Sequence, residues 1–271
     1  MVKPADGSSK ELVMEYKDLT LPLDHNWMPD EVLPVAAHFY LAPKYHPDKG
    51  IILGSETGTC LTLPAAFADF RETTRLHEVT IEKLFLRATA ILDIAAEESQ
   101  EITESEVQRA IEVCKVARGN AVLLRTGWGD RGTHVKPGSQ YIMASPHLSL
   151  PAAELLATFM AESESDLLLT DLALIGWPDK HLFPEWNSLF PRPGPWPSTE
   201  AQIYLHLYTP QKAKADFAVE LALARSGIMT VKRLIHCKDL LSDRLRIIVS
   251  PLHIVRGASS TCRVIAVEGA M

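Results

Sequence analysis

The stretch that decides the fold is residues 54–67, which read GSETGTCLTLPAAF. The apolar run Ile51-Ile52-Leu53 precedes it and is typical of a short buried strand. The sequence therefore predicts a strand that delivers a turn of small residues, followed by Pro64. No Walker pattern, Rossmann fingerprint or Gly-x-Ser-x-Gly elbow occurs elsewhere in the chain. This turn is consequently the most informative segment for function.

Strand-like and helix-like segments alternate along most of the chain. Between two predicted strands, Thr103 and Glu106 have the spacing of a capping box, and apolar residues then repeat at helical spacing up to Gly119. Two more helices are predicted, from Ser149 and over residues 212–225. The predicted strands are residues 88–94, 121–125, 167–169, 228–234, 245–249 and 263–267. This alternation predicts an α/β fold in which helices pack on a sheet.

Residues 54–67 resemble the signature of the metal-dependent cyclase superfamily, which includes bacterial kynurenine formamidase and isatin hydrolase. That signature runs His-x-Gly-Thr-His-x-Asp-x-Pro-x-His, and Thr57-Gly58-Thr59 and Pro64 fall in register with it. Further segments resemble the family in the same order along the chain: VLLRTGW at 122–128, Leu169-Thr170-Asp171, IIVSP at 247–251, Gly257 and RVIA at 263–266. The resemblance implies the family's swivelling β/β/α fold and a homo-oligomer, a dimer or a tetramer.

The family's reactive residues do not carry over to this sequence. By the resemblance, its two metal-binding histidines in the signature correspond to Glu56 and Cys60, and its ligand aspartate corresponds to Thr62. The histidine that shuttles protons in the family falls on Ala66. Two later ligands, a histidine and a glutamate, fall on Glu220 and Lys232. Every position of the ligand set is therefore changed.

An ammonium group beside a cation site opposes metal binding, because it donates hydrogen bonds, cannot act as a ligand and repels the ion. We therefore predict that Lys232 replaces the metal charge between Glu56 and Glu220, with no metal and no cofactor. One glutamate would be the general base and Lys232 the acid or electrostatic clamp. Cys60 would be a nucleophile if Lys232 stabilised its thiolate.

Other interpretations of the same residues stay open. The three charged groups could form an inert ion-pair network that only fills the vacated site. Glu56, Cys60 and Glu220 could instead make an unusual three-ligand metal site. Cysteine without a partner histidine is more often a small apolar residue. Beside these groups, Thr59 and Thr62 are candidate substrate contacts.

Residues 177–210 form a segment rich in proline and aromatic residues. It holds three of the five tryptophans, Trp177, Trp186 and Trp196. Proline at this density prevents both a helix and a central strand, so a long loop is predicted. The loop is either a surface or oligomer contact or a wall over the substrate pocket. In the second case the three tryptophans bind substrate.

Composition excludes several classes of protein. The chain has 271 residues, of which 46% are hydrophobic and 23% charged, as in a globular protein. A net charge of −7 argues against a nucleic-acid partner. The chain contains no run of 18 apolar residues, so no membrane span is predicted. Residues 1–10 are expected to form a polar, flexible tail without a signal core, so a cytoplasmic protein is expected. The four cysteines form no Cys-x-x-Cys pair, so a zinc ribbon is unsupported.

These observations together predict one cyclase-like α/β domain over residues 1–271. The preferred function is a metal-independent enzyme for a small cyclic or aromatic metabolite, with acid–base cyclisation, elimination or isomerisation as its reaction, in specialised metabolism. One alternative is a metal-assisted amide or lactam hydrolase with atypical ligands. The other is a non-catalytic relative that binds a ligand or a partner.

Overall fold

The computed structural model describes residues 14–22, 44–46, 50–52, 58–67, 73–131, 141, 144–176, 217–241 and 244–269. Twelve strands occur in these residues: β1 (Glu15–Asp18), β2 (Lys44–His46), β3 (Gly50–Ile52), β4 (Cys60–Thr62), β5 (Arg87–Asp93), β6 (Glu101–Ile102), β7 (Ala121–Arg125), β8 (His147–Leu148), β9 (Leu167–Thr170), β10 (Met229–Lys232), β11 (Arg246–Pro251) and β12 (Ser259–Glu268). Three α-helices accompany them: α1 (Glu104–Val113), α2 (Leu150–Glu162) and α3 (Ala218–Arg225).

Eight of the strands form one mixed sheet that closes on itself. Strands β5, β7, β9 and β10 are parallel neighbours in that order. Strand β4 lies antiparallel to β10 and also pairs with β12, while β11 joins β12 to β5. Strand β1 pairs with the C-terminal part of β12, on the same edge of β12 whose N-terminal part pairs with β4. The result is a barrel-like sheet, and the predicted α/β class is confirmed.

Side chains that alternate along the parallel strands build two cores. On β7, Ala121 and Leu123 point into the barrel interior, where they join residues from β4, β11 and β12. Val122 and Leu124 point outward and pack with apolar residues of the three helices. A parallel strand covered on both faces reads as a continuous apolar run. This explains why residues 121–125 are recognisable in the sequence.

The helix starts agree with the sequence, and one helix end does not. The backbone N–H of Thr103 donates to Glu106 Oε2 at 2.7 Å, as the predicted capping box requires. Helix α1 ends at Val113, whereas the apolar spacing predicted a helix up to Gly119. At Cys114 the chain turns toward β5, and the Cys114 thiol donates to the carbonyl of Ile91 at 3.2 Å. This tertiary contact overrides the local helical pattern.

The remaining helices are short. Helix α2 begins after Ser149, whose Oγ accepts from the Ala152 N–H at 3.3 Å. Helix α3 covers the end of the helix predicted for 212–225, and residues 212–216 lie outside the described residues. None of the helices in the described parts of the chain is long and apolar enough to cross a membrane.

The Asp166 carboxylate, just before β9, forms ion pairs that should make the stability of the fold depend on pH. Lys83 Nζ lies 2.8 Å from it and Arg87 Nη2 lies 2.7 Å from it. Partial burial opposes ionisation of Asp166, but these two cations outweigh it and lower the pKa. A carboxyl group whose pKa is lower in the folded than in the unfolded state stabilises the fold above the unfolded pKa of about 3.9. This stabilisation is lost as the pH falls through the pKa of the folded state. Asp166→Asn should therefore lower the free energy of unfolding by about 1 kcal/mol at pH 7, a figure that allows for solvent screening.

Urea denaturation at two pH values checks this expectation. The difference between Asp166→Asn and the parent protein should be smaller below the unfolded pKa of about 3.9 than at pH 7, and should close as the pH falls through the lower pKa of the folded carboxyl group. Glu164→Gln is the control, because the pair of Glu164 with Arg118 is exposed and should change the unfolding midpoint little. A difference that is the same at both pH values would contradict the ion-pair explanation.

Candidate active site

The candidate site lies where the parallel strands end. Thr126 follows β7, Asp171 follows β9 and Arg233 follows β10. In sheets of this kind, the carboxyl ends of parallel strands meet at one edge, and ligands bind there. The three residues are all buried.

Asp171 holds the turn after β7 in place. Its Oδ1 accepts hydrogen bonds from the Thr126 N–H at 2.9 Å and the Thr126 hydroxyl at 2.8 Å, and its Oδ2 lies 3.4 Å from the Gly129 N–H. Burial raises the pKa of Asp171, and the hydrogen bonds from Thr126 oppose that shift. The motif VLLRTGW and the aspartate at the end of β9 therefore belong to one hydrogen-bonded unit.

The same turn packs tightly against the chain after β10. A Cβ atom added at Gly129 would lie 2.1 Å from the carbonyl oxygen of Leu234 and 3.1 Å from Asp171 Cβ. Only glycine allows that approach. The indole of Trp128 is buried in this turn and stacks on Tyr141 with ring centroids 5.9 Å apart. The ends of β7, β9 and β10 are thus fixed relative to one another.

Cys60 and Lys232 face each other across neighbouring strands. They are register partners in the antiparallel pair of β4 and β10, so their side chains leave the same face of the sheet. Thr62 and Thr230 form the next pair on that face. The intervening residues of both strands point into the barrel interior. Lys232 is only 5% exposed, so the structure buries an amine on the face that also carries Cys60.

Arg233 is a site residue that the sequence did not indicate. It is fully buried and has φ +65°, which interrupts the alternation of side chains after Lys232. Its Nη1 donates to Cys60 Sγ at 3.3 Å and to the carbonyl of Gly58 at 2.9 Å, and its Nε donates to the carbonyl of Ala173 at 3.1 Å. Because a regular strand would turn Arg233 away from Lys232, periodicity could not have found this residue.

Thr59 is tied into the protein by its hydroxyl. Thr59 Oγ1 donates to the carbonyl of Arg233 at 2.8 Å and accepts from the Leu21 N–H at 2.8 Å, and the residue is 1% exposed. These bonds give Thr59 a structural role beside the site. Its proposed contact with substrate stays a prediction, as does that of Thr62, which is buried on β4.

Glu220 lies in the first turn of α3. Its Oε1 accepts from the N–H of Gly176 at 3.4 Å, in the segment after β9. The helix approaches closely there, because a Cβ at Gly176 would lie 2.6 Å from Val219 Cβ. A carboxylate in a first helical turn is favoured by the helix dipole. Glu220 is partly exposed, unlike the fully buried Asp171.

The structure thus brings three of the predicted site residues, Cys60, Thr62 and Lys232, onto one face of the sheet. Glu220 is placed on the helix that follows the proline-rich segment. The other predicted residues lie outside the described part of the chain: Glu56, Trp177, Trp186 and Trp196. Their roles remain predictions.

The described donor set does not fit a divalent metal ion. At the positions that the family resemblance assigns to metal ligands, Cys60 Sγ accepts from the Arg233 guanidinium and a lysine, Lys232, stands opposite it. The guanidinium repels a metal ion, and the amine of Lys232 cannot act as a ligand while it is protonated. Within the described residues, no three His, Cys, Asp or Glu side chains come together as a metal-binding group. The predicted absence of a metal remains a prediction, since Glu56 is outside this region.

Comparison with known proteins decides the family. The Cyclase family model matches residues 17–171, more than half of the chain. The chain belongs to the Cyclase family. The predicted family is therefore confirmed. A search of curated proteins found no match.

Solved structures confirm the Cyclase fold. Isatin hydrolase A from Labrenzia aggregata, bound to benzyl benzoate, matches with a TM-score of 0.65 and 18% identity over 95% of this chain and 94% of that one. Isatin hydrolase A from Ralstonia solanacearum matches with a TM-score of 0.66 and 17% identity over 94% and 92%. A structure described as a potential metal-dependent hydrolase with cyclase activity gives 0.62 and 14% over 96% and 100%. At these identities the matches establish the fold alone.

Proposed function

We propose that this member of the Cyclase family is an enzyme that acts on a small organic molecule without a catalytic metal. One observation carries the proposal: Lys232 is buried on the sheet face that carries Cys60, at a position where the family resemblance expects a metal ligand. A buried ammonium is retained at a cost in desolvation, and buried charged groups in such places are often functional.

The proposed chemistry is proton transfer between two groups. Glu220, or Glu56 before β4, removes a proton from the substrate as general base. The Lys232 ammonium donates a proton, or a hydrogen bond, to the oxygen or nitrogen atom on which negative charge develops. Cyclisation, elimination and isomerisation all consist of such paired transfers. Cys60 is the alternative nucleophile, with Arg233 Nη1 directed at its sulfur.

A small cyclic or aromatic compound is the proposed substrate class. Two structures that share the fold are named isatin hydrolase A, and one of them holds benzyl benzoate. Because the identity is below a fifth, these names suggest only a class of molecule to screen. A tailoring role in specialised metabolism is part of the same proposal. Trp177, Trp186 and Trp196 would contribute aromatic contacts to the pocket.

Metal analysis tests the proposal directly. The purified protein should contain far less than one equivalent of zinc or manganese, and prolonged treatment with a chelator should leave its melting temperature unchanged, because no ion contributes to folding. Cys60→Ser and Cys237→Ser are compared in the same assay, since both replace a buried thiol and only Cys60 lies on the proposed site face. Stoichiometric metal that is lost in Cys60→Ser and kept in Cys237→Ser would overturn the metal-free mechanism.

A metal-assisted amide or lactam hydrolase is the second candidate. The description of one fold neighbour as a potential metal-dependent hydrolase favours it, and Cys60 and Glu220 are residue types that can ligate zinc. A metabolite screen by thermal shift separates both enzymes from a non-catalytic relative. A ligand at 100 times its Kd adds about 2.7 kcal/mol to stability. A stabilising compound that is recovered unchanged would indicate binding without catalysis.

We also propose that the protein is a cytoplasmic homo-oligomer, a dimer or tetramer, without a nucleic-acid or membrane partner. Exposed apolar residues in the loop between β11 and β12, Leu252, Ile254 and Val255, support an interface between copies. Light scattering on the purified protein gives the molecular mass in solution. A mass of one chain at micromolar concentration would contradict the oligomer.

A further inference from the structure

We propose that Arg233 is a positioning residue, which holds the Cys60 end of β4 against the segment after β9 and so fixes the face on which Cys60 and Lys232 lie. The inference rests on the proposed function in one respect, that this face is the active site. It concerns a residue outside the set that the family resemblance identifies.

The contacts of Arg233 reach two other segments of the chain directly, and a third through Thr59. The side chain reaches the carbonyls of Gly58 and Ala173 and the sulfur of Cys60. Its backbone carbonyl accepts from Thr59 Oγ1, which in turn accepts from the Leu21 N–H. Its backbone N–H donates to the Leu172 carbonyl at 3.1 Å. Arg233 therefore connects residues 58–60 with residues 172–173, and Thr59 extends this connection to Leu21.

Arginine is suited to this task because of its geometry. A planar guanidinium presents several N–H donors in fixed directions, so it can satisfy acceptors from different segments at once. Lysine offers a compact charge on a flexible stem and holds fewer acceptors in a fixed arrangement. A fully buried charge is retained only where it is well hydrogen-bonded. Among the described residues, the carbonyls of Gly58 and Ala173 and the sulfur of Cys60 accept hydrogen bonds from this guanidinium.

The position of Arg233 makes the contacts specific to the site. Its φ of +65° is uncommon for a residue with a side chain and lets consecutive residues, Lys232 and Arg233, both lie against the region around Cys60.

Arg125 offers a comparison elsewhere in the fold. Its Nη1 donates to the carbonyls of Cys237 and Leu240, both at 2.9 Å, and its other nitrogens pair with Asp93.

Site-resolved thiol labelling tests the proposal without a substrate. The full chain is treated with iodoacetamide well below its melting temperature, and mass spectrometry gives a rate for each cysteine. Arg233→Met should raise the labelling rate at Cys60 about tenfold or more. The variant loses the three hydrogen bonds that hold residues 58–60 in place, so this segment opens more often and exposes the thiol. Arg125→Met is the crossed control and should raise the rate at Cys237 instead. Cys237 in Arg233→Met and Cys60 in Arg125→Met, both buried and each outside the contacts removed in that variant, report opening of the whole fold.

The conservative variant separates geometry from charge. Arg233→Lys keeps the positive charge and should still raise the ratio of the Cys60 rate to the Cys237 rate above that of the parent protein, because lysine cannot satisfy the same acceptors. Full protection of Cys60 in Arg233→Lys would overturn the positioning role of the guanidinium. Equal increases at Cys60 and Cys237 in Arg233→Met would also overturn it, because they would indicate general destabilisation. These outcomes do not depend on whether the protein is an enzyme.

Discussion

Lys232→Met should reduce kcat at least about 100-fold toward any substrate identified by screening, since general acid and electrostatic contributions are typically of this size or larger. Methionine keeps a similar unbranched length and removes the charge. The Lys232 amine lies opposite Cys60, and the residue is 5% exposed, so the charge removed is one shielded from bulk water in the proposed mechanism. Steady-state kinetics on the parent and the variant gives the ratio. Glu220→Gln, which removes the proposed base, should also lower kcat.

Lys83→Met is the matched control for that measurement. Lys83 pairs with Asp166 on the surface and lies outside the proposed site, so the same chemical change there should leave kcat unaltered. Circular dichroism would show that the Lys232 variant is folded. Full turnover in folded Lys232→Met would mean that this buried amine takes no part in the reaction, whatever its effect on stability.

Asp171→Ala should strongly destabilise the fold. Alanine removes the acceptor for the Thr126 N–H, the Thr126 hydroxyl and the Gly129 N–H, all in a buried turn. At about 1 kcal/mol or more for each buried donor left without a partner, the free energy of unfolding should fall by about 3 kcal/mol. Because total stability is typically about 5–15 kcal/mol, this is a large fraction. Urea denaturation measures the loss.

Two further variants make the expectation specific. Asp130→Ala in the same turn removes a single acceptor, for the Lys238 N–H at 2.8 Å, and should cost much less. Asp171→Asn keeps an oxygen for Thr126 and has an amide group where the second oxygen stood, so it should fall between the other two. Equal losses for Asp171→Ala and Asp130→Ala would show that the hydrogen bonds to Thr126 and Gly129 contribute little.

Local patterns predicted those parts of the fold that local interactions decide. The capping box at Thr103 marks the start of α1 because both partners lie within one helical turn. The end of α1 was not predictable, because the Cys114 thiol bonds to β5, which is distant in sequence. The segment 121–125 was recognisable because both of its faces are buried.

The candidate site shows the same limit. Family resemblance indicated Cys60 and Lys232 as altered ligand positions, but only the pairing of β4 with β10 places them opposite each other. Arg233 was missed because its left-handed backbone conformation breaks the period of two on which strand predictions rest. A positive φ at a residue other than glycine has no clear sequence signal. The sequence therefore indicated the altered site but not the residue that organises it.

Strand β12 has a consequence for how the chain folds during synthesis. It is the partner of both β1 and β4, which lie some 200 or more residues earlier, and it joins them to β11. Until residues 259–268 leave the ribosome, one edge of β4 and all of β1 lack their neighbours. Pairing over such sequence distances is slow, and an open strand edge invites association with other chains. Nascent chains stalled before residue 259 should therefore engage chaperones, and the site around Cys60 should mature only after translation of β12.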